Sequence, residues 1–553
     1  MMKFLIFLSL IGSTSAPFAA SGAINSCRAA FSKNSHFTVI STYLKDTLNS
    51  LEKMRGENGL VGDTLIIKSR QDGTFTTKIA NPFTSPTNIA VDLLIQTELN
   101  DSRKISETIE TLSNLKIHNS TGLFYSRYAT DRTSAVNDPS VSSIDNAHLA
   151  VALWTVKEKF KGTPAGDKAE KLFSRMDFSV YYDQNSGLIG GNLKFQDGKW
   201  LREEYNFANL GSEARILYSG IWALGLFKKY NHNVDFIEKA IAALKSEVLY
   251  TKEGAQLKLW DGSAFQLFFP KMFINEEIYS KKMQDFYRAS GNYMIAEGKR
   301  RRLEVPAAHS AARADLNIYK DKSGDKAFVS SDNKDLSEPT LRKQWDSTFT
   351  PYALFMAATA NPEKFVPLIS NLQNIKSDND LLYIPTMGWM DGLTVKGHSR
   401  GEVVPAQLSL NQGMIGLSLL QMQAPDGLSV SSRLLNKNPE ISSRLKEFYS
   451  AFDKKLEQNV VKIEKNQITV NGIGQPQLYG AEFQYFRLRG GYEKNVPREK
   501  VLEVWRRGLD KMVEAGMNAI SFYIPWDFHE YAPGKFDFSG KVDQDGDGKP
   551  DYP

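Results

Sequence analysis

Residues 142–160, SSIDNAHLAVALWTVKEKF, predict a helix that other parts of the protein cover on more than one side. A helix with one face in water would carry its apolar residues on a single stripe. Here they are spread around the helix, at Ala147, Leu149, Ala150, Val151, Leu153 and Trp154. Such a helix needs a second layer of helices around it, and a double ring of paired helices meets that requirement.

Apolar residues spaced three and four positions apart continue through about residues 85–423. They predict helices at 88–99, 105–115, 144–160, 212–230, 234–248, 281–298, 347–360, 362–372 and 411–423. The joints between these helices are long and rich in aromatic and polar residues, at 124–128, 200–209, 260–262 and 383–400. Long loops of one shared composition indicate a functional site. The alternative is that the aromatic residues only plug the ends of the ring.

The composition of the 553-residue chain is that of a globular protein with room for two or three domains. The net charge is +5, and the dense basic run Lys299–Arg302 lies between two glutamates, so we predict no nucleic-acid partner. The single cysteine, Cys27, excludes an internal disulfide framework and a cysteine-based metal site. We predict no cofactor and no metal in the site, and the sequence does not indicate an oligomeric state.

The N-terminus predicts a secretory signal peptide over residues 1–20. Lys3 precedes an apolar run from Phe4 to Ile11, and small residues follow up to Ala20. We therefore expect a secreted or periplasmic protein with no membrane partner after cleavage. Cys27 is either a free thiol near the mature terminus or, alternatively, a lipid attachment site.

The C-terminal part of the chain has a different pattern. Strand-like residues 477–486, a helical stretch at 497–515 and strand-like residues 518–524 predict one βαβ unit. We place the domains at 21–437 for the helical ring, 438–460 for a linker helix and 461–553 for the start of a β/α barrel. Because 29 residues follow Ile524, we expect either a fragment of a longer polypeptide or a tail that docks elsewhere. Residues 543–551 have the spacing of a calcium loop, or form a solvated acidic turn.

Tryptophan and tyrosine beside carboxylates and amides suit a sugar site, because ring faces pack on the apolar side of a pyranose. Glycoside hydrolysis needs two carboxyl groups. The candidates are Asp145, Glu213, Asp261 and Asp391, and Glu203 or Glu204 could also reach the cleft. Each has a structural alternative, because helix N-termini favour acids and Asp-Gly pairs form turns.

Four strings follow one another along the helical region: TSPTNI at 84–89, SSIDNAHLA at 142–150, LGSEARI at 210–216 and NQGMI at 411–415. This ordered set resembles the glycoamylase-like glycoside hydrolases, which include endo-β-1,2-glucanases. The resemblance covers about residues 85–423 and implies an (α/α)6 toroid with a sugar cleft at the mouth of the inner helices. The fold class is thus mainly α, with a truncated (β/α)8 barrel after the toroid.

By this resemblance Glu213 is the general acid, Asp145 holds substrate hydroxyls and Asp391 acts as a base through water. The expected substrate-binding residues are Trp260, Asp261, Tyr125, Tyr205, Trp389, Arg400 and Gln412. One position departs from the family, because Asn411 stands where many relatives have an aspartate before Gln-Gly. Arg215 is expected either to tune these acids or to serve as an ion-pair partner.

A second resemblance covers the tail. YGAEFQYFR at 479–487, MVEAGMN at 512–518 and YIPWDFHE at 523–530 are similar to the opening of glycoside hydrolase family 35, the β-galactosidase-type barrels. The first resemblance implies a glycosidase whose helical toroid hydrolyses a β-glucan, with inversion. The alternative is a non-catalytic carbohydrate-binding toroid attached to an incomplete β-galactosidase-like barrel. A third hypothesis, a helical interaction scaffold, involves no sugar.

Overall fold

A computed structural model shows the protein as two compact units, the first ending at Glu457 and the second beginning at Gln458. In the first unit the structure describes residues 34–69, 75–230, 234–246, 248–259, 263–300, 305–306, 348–375, 381–394 and 403–457. In the second it describes 461–464, 467–470, 473–474, 480–482, 498–515, 517, 519–521, 530–532 and 535–536. The predicted signal peptide and the 543–551 loop lie outside these residues.

The first unit is mainly helical. Its helices are α1 Asn34–Lys53, α2 Pro86–Leu99, α3 Ser102–Asn114, α4 Ser143–Lys159, α5 Pro164–Arg175, α6 Val234–Ala243, α7 Ala264–Phe273, α8 Lys281–Arg300, α9 Pro351–Ala358, α10 Pro362–Leu372, α11 Ser409–Gln423, α12 Val430–Lys437 and α13 Pro439–Glu457. A π-helical turn spans Leu217–Ile221, and short 3-10 turns span Ser179–Tyr181, Lys228–Tyr230 and Glu276–Ile278.

Six of the described segments form an inner ring, which confirms the (α/α)6 toroid. Helix α2 packs on α4, α4 packs on the π-helical turn and on α7, α7 packs on α9, α9 packs on α11, and α11 returns to α2. These inner helices are buried around most of their circumference. At the closing contact an added Cβ on Gly413 would lie 2.2 Å from Cγ1 of Val91, so only glycine allows this helix approach.

The outer helices bury one stripe each. In α3 the buried residues are Ile105, Thr108, Ile109 and Leu112, at the spacing of a single helical face. Helix α13, which we predicted as a linker, belongs to this outer layer instead. Its side chains Phe448, Tyr449 and Phe452 are fully buried in the helical unit.

The predicted helix 212–230 is wrong as a regular helix. Residues 213–214 form a turn, the helical part is interrupted by the π-helical turn Leu217–Ile221, and Gly225 adopts a φ of 73° that ends it. The predicted helix 234–248 ends early, at Ala243, before a strand begins at Val248. Helices α1, α5, α7 and α12 were missed by the sequence prediction.

Short strands form in the segments that connect the helices. Three-stranded antiparallel sheets join Ala406–Leu408, Thr64–Ser69 and Phe75–Asn81; Lys199–Arg202, Asn192–Gln196 and Val141–Ser142; and Phe83–Thr84, Arg127–Ala129 and Val136–Asp138. Two-stranded pairs join Asn206–Phe207 with Ile189–Gly190, Val248–Thr251 with Gly254–Leu257, Thr348–Phe349 with Leu393–Thr394, Tyr383–Ile384 with Gly388–Trp389, and Ile117–His118 with Leu123–Phe124.

The second unit contains the predicted βαβ unit in its described part. Strand Gly480–Glu482 pairs in parallel with Ala519–Ser521, and helix α14, Arg498–Glu514, connects them. An antiparallel sheet precedes the unit, with strands Val461–Glu464, Gln467–Val470 and Ile473–Gly474. The pair Glu530–Ala532 and Lys535–Phe536 follows it. Among the described helices, none is long and apolar enough to cross a bilayer.

A buried ion pair fastens the π-helical segment to its neighbours. Arg215, fully buried, donates to Glu276 through Nε at 2.9 Å and Nη2 at 3.0 Å, and to the carbonyl of Leu267 at 2.6 Å. The hydroxyls of Tyr449 and Tyr287 also donate to Glu276. Although burial opposes the charged form, the carboxylate of Glu276 raises the pKa of Arg215. Arg215 is therefore a structural ion-pair partner of Glu276.

Replacing Arg215 with methionine should lower the free energy of unfolding by about 3–5 kcal/mol, because Glu276 would remain buried without its counter-charge. The matched control is Arg103→Met, which breaks the exposed pair with Glu107 and should cost under about 0.5 kcal/mol. Chemical denaturation followed by circular dichroism measures both. Equal losses in the two variants would contradict the role of the buried pair.

Candidate functional site

An open cavity of about 560 Å³ lies at one end of the inner ring. Its wall is built from the N-terminal ends of the inner helices and the strands beside them. The residues that line it include Asp63, Thr87, Asn88, Asp138, Asp145, Asn192, Tyr205, Phe207, Glu213, Phe265, Gln266, Tyr352 and Asn411. We call this cavity the mouth cleft.

The position of the cleft explains its electrostatic character. The first turns of α2, α4, α7, α9 and α11 all contribute lining residues, and the N-terminal end of an α-helix carries exposed N–H groups and a partial positive charge. These ends suit carboxylates and other oxygen-rich groups. Among the residues that the structure describes, four acids lie in the cleft wall, Asp63, Asp138, Asp145 and Glu213.

Asp145 lies where the sequence predicted, in the first turn of α4. The helix begins after Ser142, whose hydroxyl accepts a hydrogen bond from the Asp145 N–H at 3.2 Å. Oδ1 of Asp145 accepts a hydrogen bond from the Thr87 hydroxyl, with an O–O distance of 2.5 Å. Thr87 in turn lies 3.0 Å from Nδ1 of His148. Asp145 is thus half-buried in the cleft wall, and the hydrogen bond from Thr87 holds its carboxylate in place.

Glu213 also lies in the cleft, but in a turn before the irregular helical segment. Its N–H donates to Oε1 of Gln266 at 2.9 Å, and Gln266 belongs to the first turn of α7. The backbone of Glu213 is therefore held against the neighbouring inner helix. The structure thus brings Glu213 and Asp145 to one cleft.

Tyr205, a predicted substrate-binding residue, lies in the same cleft as the acids. Its ring is 47% exposed and packs edge-on against Phe207 at 5.2 Å. Partial burial and the nearby Glu213 carboxylate raise the pKa of Tyr205 to about 12, so the phenol keeps its proton at neutral pH. A second chamber of about 410 Å³ shares Tyr205, Phe207 and Glu213 with the mouth cleft and reaches Lys245.

Asp391 lies behind the cleft wall. Its side chain is 1% exposed, and its carboxylate accepts a hydrogen bond from the amide of Asn411, whose own side chain lines the cleft. Asn411 therefore stands between the Asp391 carboxylate and the cleft. Asp391 has no direct place in the lining, which differs from its expected contact with a water at the substrate.

The expected sugar contacts of Trp389 and Gln412 do not agree with their positions. Both side chains are fully enclosed. The ring of Trp389 packs within 5.4 Å of Tyr43, Phe355 and Tyr383, and Gln412 donates to the Trp389 carbonyl at 2.5 Å. Aromatic side chains of the core, rather than a sugar, therefore surround this indole.

The other predicted residues are distributed around the cleft or lie outside the description. Tyr125 is half-buried and stacks on Trp200 at 6.0 Å, next to the rim. Glu203 accepts from Asn192, a lining residue, at 2.7 Å, whereas Glu204 is exposed. Trp260, Asp261 and Arg400 lie outside the described residues.

The sequence analysis missed two of the cleft acids. Asp63 accepts the hydroxyl of Thr64 at 2.8 Å and precedes the strand Thr64–Ser69. Asp138 ends the short strand Val136–Asp138 and accepts the Ser140 N–H at 2.9 Å. Neither lies in a helical motif, so the helical pattern carried no sign of them.

Solved structures share the fold of the helical unit. The endo-β-1,2-glucanase of Talaromyces funiculosus, solved with sophorose, matches with a TM-score of 0.57 at 14% identity, over 82% of this chain and 97% of that chain. The endo-β-1,2-glucanase of Chitinophaga pinensis, solved with sophorotriose and glucose, gives a TM-score of 0.55 at 12% identity, over 75% and 97%. At these identities the likeness establishes the fold.

The tail has its own relatives. Residues 468–545 match the family model of Glycosyl hydrolases family 35. The β-galactosidase of Canis lupus familiaris is 54% identical over 64 residues, 12% of this chain and 9% of that protein. Human β-galactosidase-1-like protein 2 is 42% identical over 66 residues, 12% and 8%. The chain spans under a tenth of these relatives' length.

The helical unit thus has the (α/α)6 toroid fold of glucoamylase-like and endo-β-1,2-glucanase proteins, and residues 468–545 carry the sequence signature of Glycosyl hydrolases family 35.

Proposed function

We propose that the toroid is a glycosidase that hydrolyses a β-glucan in the mouth cleft. The observation that carries this proposal is the convergence of Glu213 and Asp145 on one open cavity that also presents the exposed ring of Tyr205. Paired carboxyl groups and an aromatic face are what hydrolysis of a sugar chain needs.

In this mechanism Glu213 is the general acid. Its carboxyl group gives a proton to the glycosidic oxygen as the bond to the anomeric carbon breaks. Asp145 acts as the base and takes a proton from the attacking water. The hydroxyl of Thr87 and the first turn of α4 suit a negatively charged carboxylate at this position. We prefer Asp145 to Asp391 as the base because Asp391 is enclosed behind Asn411.

The substrate class is supported by the proteins that share the fold. Two of them are endo-β-1,2-glucanases solved with sophorotriose and glucose or with sophorose. The second chamber, beyond Tyr205 and Glu213, gives room for sugar units on both sides of the acid. We therefore propose a chain-like β-glucan, cleaved with inversion, and a secreted or periplasmic location.

A second candidate is a toroid that binds carbohydrate without cleaving it. Asn411 favours it, because an amide that cannot ionise lines the cleft in front of Asp391. In that case hydrolysis would belong to a family 35 barrel, of which this chain carries residues 468–545.

The acid role of Glu213 can be tested in the complete chain. Glu213→Gln should lower kcat on β-1,2-glucan by about 10²–10⁴-fold with little change in oligosaccharide affinity, because the amide keeps the shape but gives no proton. Reducing-sugar release and calorimetric titration measure the two effects. Glu204→Gln, an exposed neighbour, is the control and should retain activity. Wild-type turnover in Glu213→Gln would exclude this acid.

The second candidate function predicts a different effect at Asn411. If the toroid lacks a base, the wild-type chain releases no sugar and Asn411→Asp gains turnover. With Asp145 as the base, we expect an active wild-type chain and no rise in kcat in Asn411→Asp. A second carboxyl beside Asp391 would even disfavour ionisation of the pair. Initial rates on β-1,2-glucan across pH distinguish these results.

The ring of Tyr205 should contribute to substrate binding. Tyr205→Ala should raise KM about threefold to tenfold, because an exposed aromatic face at the cleft is lost. Tyr205→Phe keeps the ring and serves as the matched control, with a KM near that of the wild type. Equal KM values in all three proteins would show that sugar does not contact this ring.

A further inference from the structure

We propose that Thr87 and His148 are positioning residues that hold Asp145 in its reactive orientation through a directed chain of hydrogen bonds. This inference rests on the proposed function of Asp145 as the base. It concerns two side chains that neither give nor take a proton in the proposed mechanism.

Three side chains on two inner helices, α2 and α4, form this chain of hydrogen bonds. Thr87 is in the first turn of α2, and its hydroxyl lies 2.5 Å from Oδ1 of Asp145 and 3.0 Å from Nδ1 of His148. Asp145 and His148 are three residues apart on α4, so both project from one face of that helix. Thr87 therefore bridges two side chains of the neighbouring helix.

The donors and acceptors allow one arrangement when Asp145 is ionised. A carboxylate only accepts, so the single hydrogen of the Thr87 hydroxyl points to Asp145. The Thr87 oxygen must then accept from His148, which places the imidazole hydrogen on Nδ1. Every donor in the chain points toward Asp145. His148 is thereby fixed as the Nδ1–H tautomer, with a bare lone pair on Nε2.

The surroundings of His148 make this arrangement costly for a residue with no further role. The imidazole is stacked on Phe273 at 4.7 Å and lies edge-on to Phe269 at 4.8 Å. Burial lowers the pKa of His148 to about 3, so the ring is neutral. Among the described residues Nε2 has no hydrogen-bond partner. A histidine kept only for packing would be better replaced by an apolar side chain.

The aromatic residues around His148 connect it to the cleft wall. Phe265 lines the mouth cleft and stacks on Phe269 at 4.6 Å, and Phe269 contacts His148. Phe265, Phe269 and Phe273 are spaced four residues apart on α7, and Phe269 and Phe273 contact His148 of α4. The imidazole is therefore held by two phenylalanine rings, which restrict its rotation.

Nitrogen NMR of the full chain with ¹⁵N-labelled histidine tests the direction of the chain without any substrate. Loss of one signal in His148→Asn identifies His148 among the seven histidines. We expect a protonated Nδ1 and an unprotonated Nε2 at neutral pH. An Nε2–H tautomer would overturn the inference, because Thr87 could then not accept from the ring.

Kinetics test the consequence for Asp145. Thr87→Val keeps the shape but removes the hydroxyl, and should lower kcat on β-1,2-glucan about a hundredfold with KM nearly unchanged. Thr87→Ser keeps the hydroxyl and should retain kcat. Equal kcat values in the two variants would overturn the positioning role. Should Thr87→Val fail to fold, His148→Leu against His148→Asn replaces it, because the asparagine amide can still donate to Thr87.

The two measurements separate this inference from the proposed function. Full turnover in Glu213→Gln would exclude the proposed mechanism. The tautomer of His148 would still show whether the hydrogen bonds from His148 through Thr87 to Asp145 run in the proposed direction. If Glu213→Gln is inactive while Thr87→Val equals Thr87→Ser, the mechanism stands and the positioning role falls.

Discussion

The closure of the inner ring is the constraint on which the rest of the protein depends. Helix α11 packs closely on α2 at Gly413, where an added Cβ would lie 2.2 Å from Cγ1 of Val91. Once the ring is closed, the inner helices have no face left for water, and their N-terminal ends meet at one opening. The cleft therefore follows from how apolar helices are covered, and its polar residues lie at helix N-terminal ends, where backbone N–H groups have no partner within the helix.

Two buried polar clusters of the ring differ in whether the buried groups are charged. At Arg215 and Glu276 a full ion pair is enclosed and satisfied by two tyrosine hydroxyls, which fixes segments of the ring together. Behind Asp145 the enclosed group is a neutral imidazole, and the charge is kept at the cleft wall. A buried charge needs a partner of opposite sign. A buried neutral group such as the His148 imidazole needs only hydrogen-bond donors and acceptors that match.

The sequence was sufficient to predict the helical ring but not which residues are buried and which line the cleft. All-round apolar helices such as 142–160 predicted a covered ring, and short strings predicted that Asp145 and Glu213 open toward a cleft. The pattern could not show that Trp389 points inward, because an aromatic residue in a loop is compatible with either side. It missed α7, where Pro270 and four phenylalanines obscure the helical period, and Asp63 and Asp138, which reach the cleft only through tertiary contacts.

The short strands at the opening have an evolutionary consequence. Three of them, Val136–Asp138, Asn192–Gln196 and Lys199–Arg202, are three to five residues long and keep most of their side chains exposed or half-buried. Changes in their length or side chains would remodel the recognition surface without disturbing the scaffold beneath it. A lineage that inherits this toroid can therefore diversify toward new saccharides through changes at its rim. The helical packing that stabilises the domain stays the same.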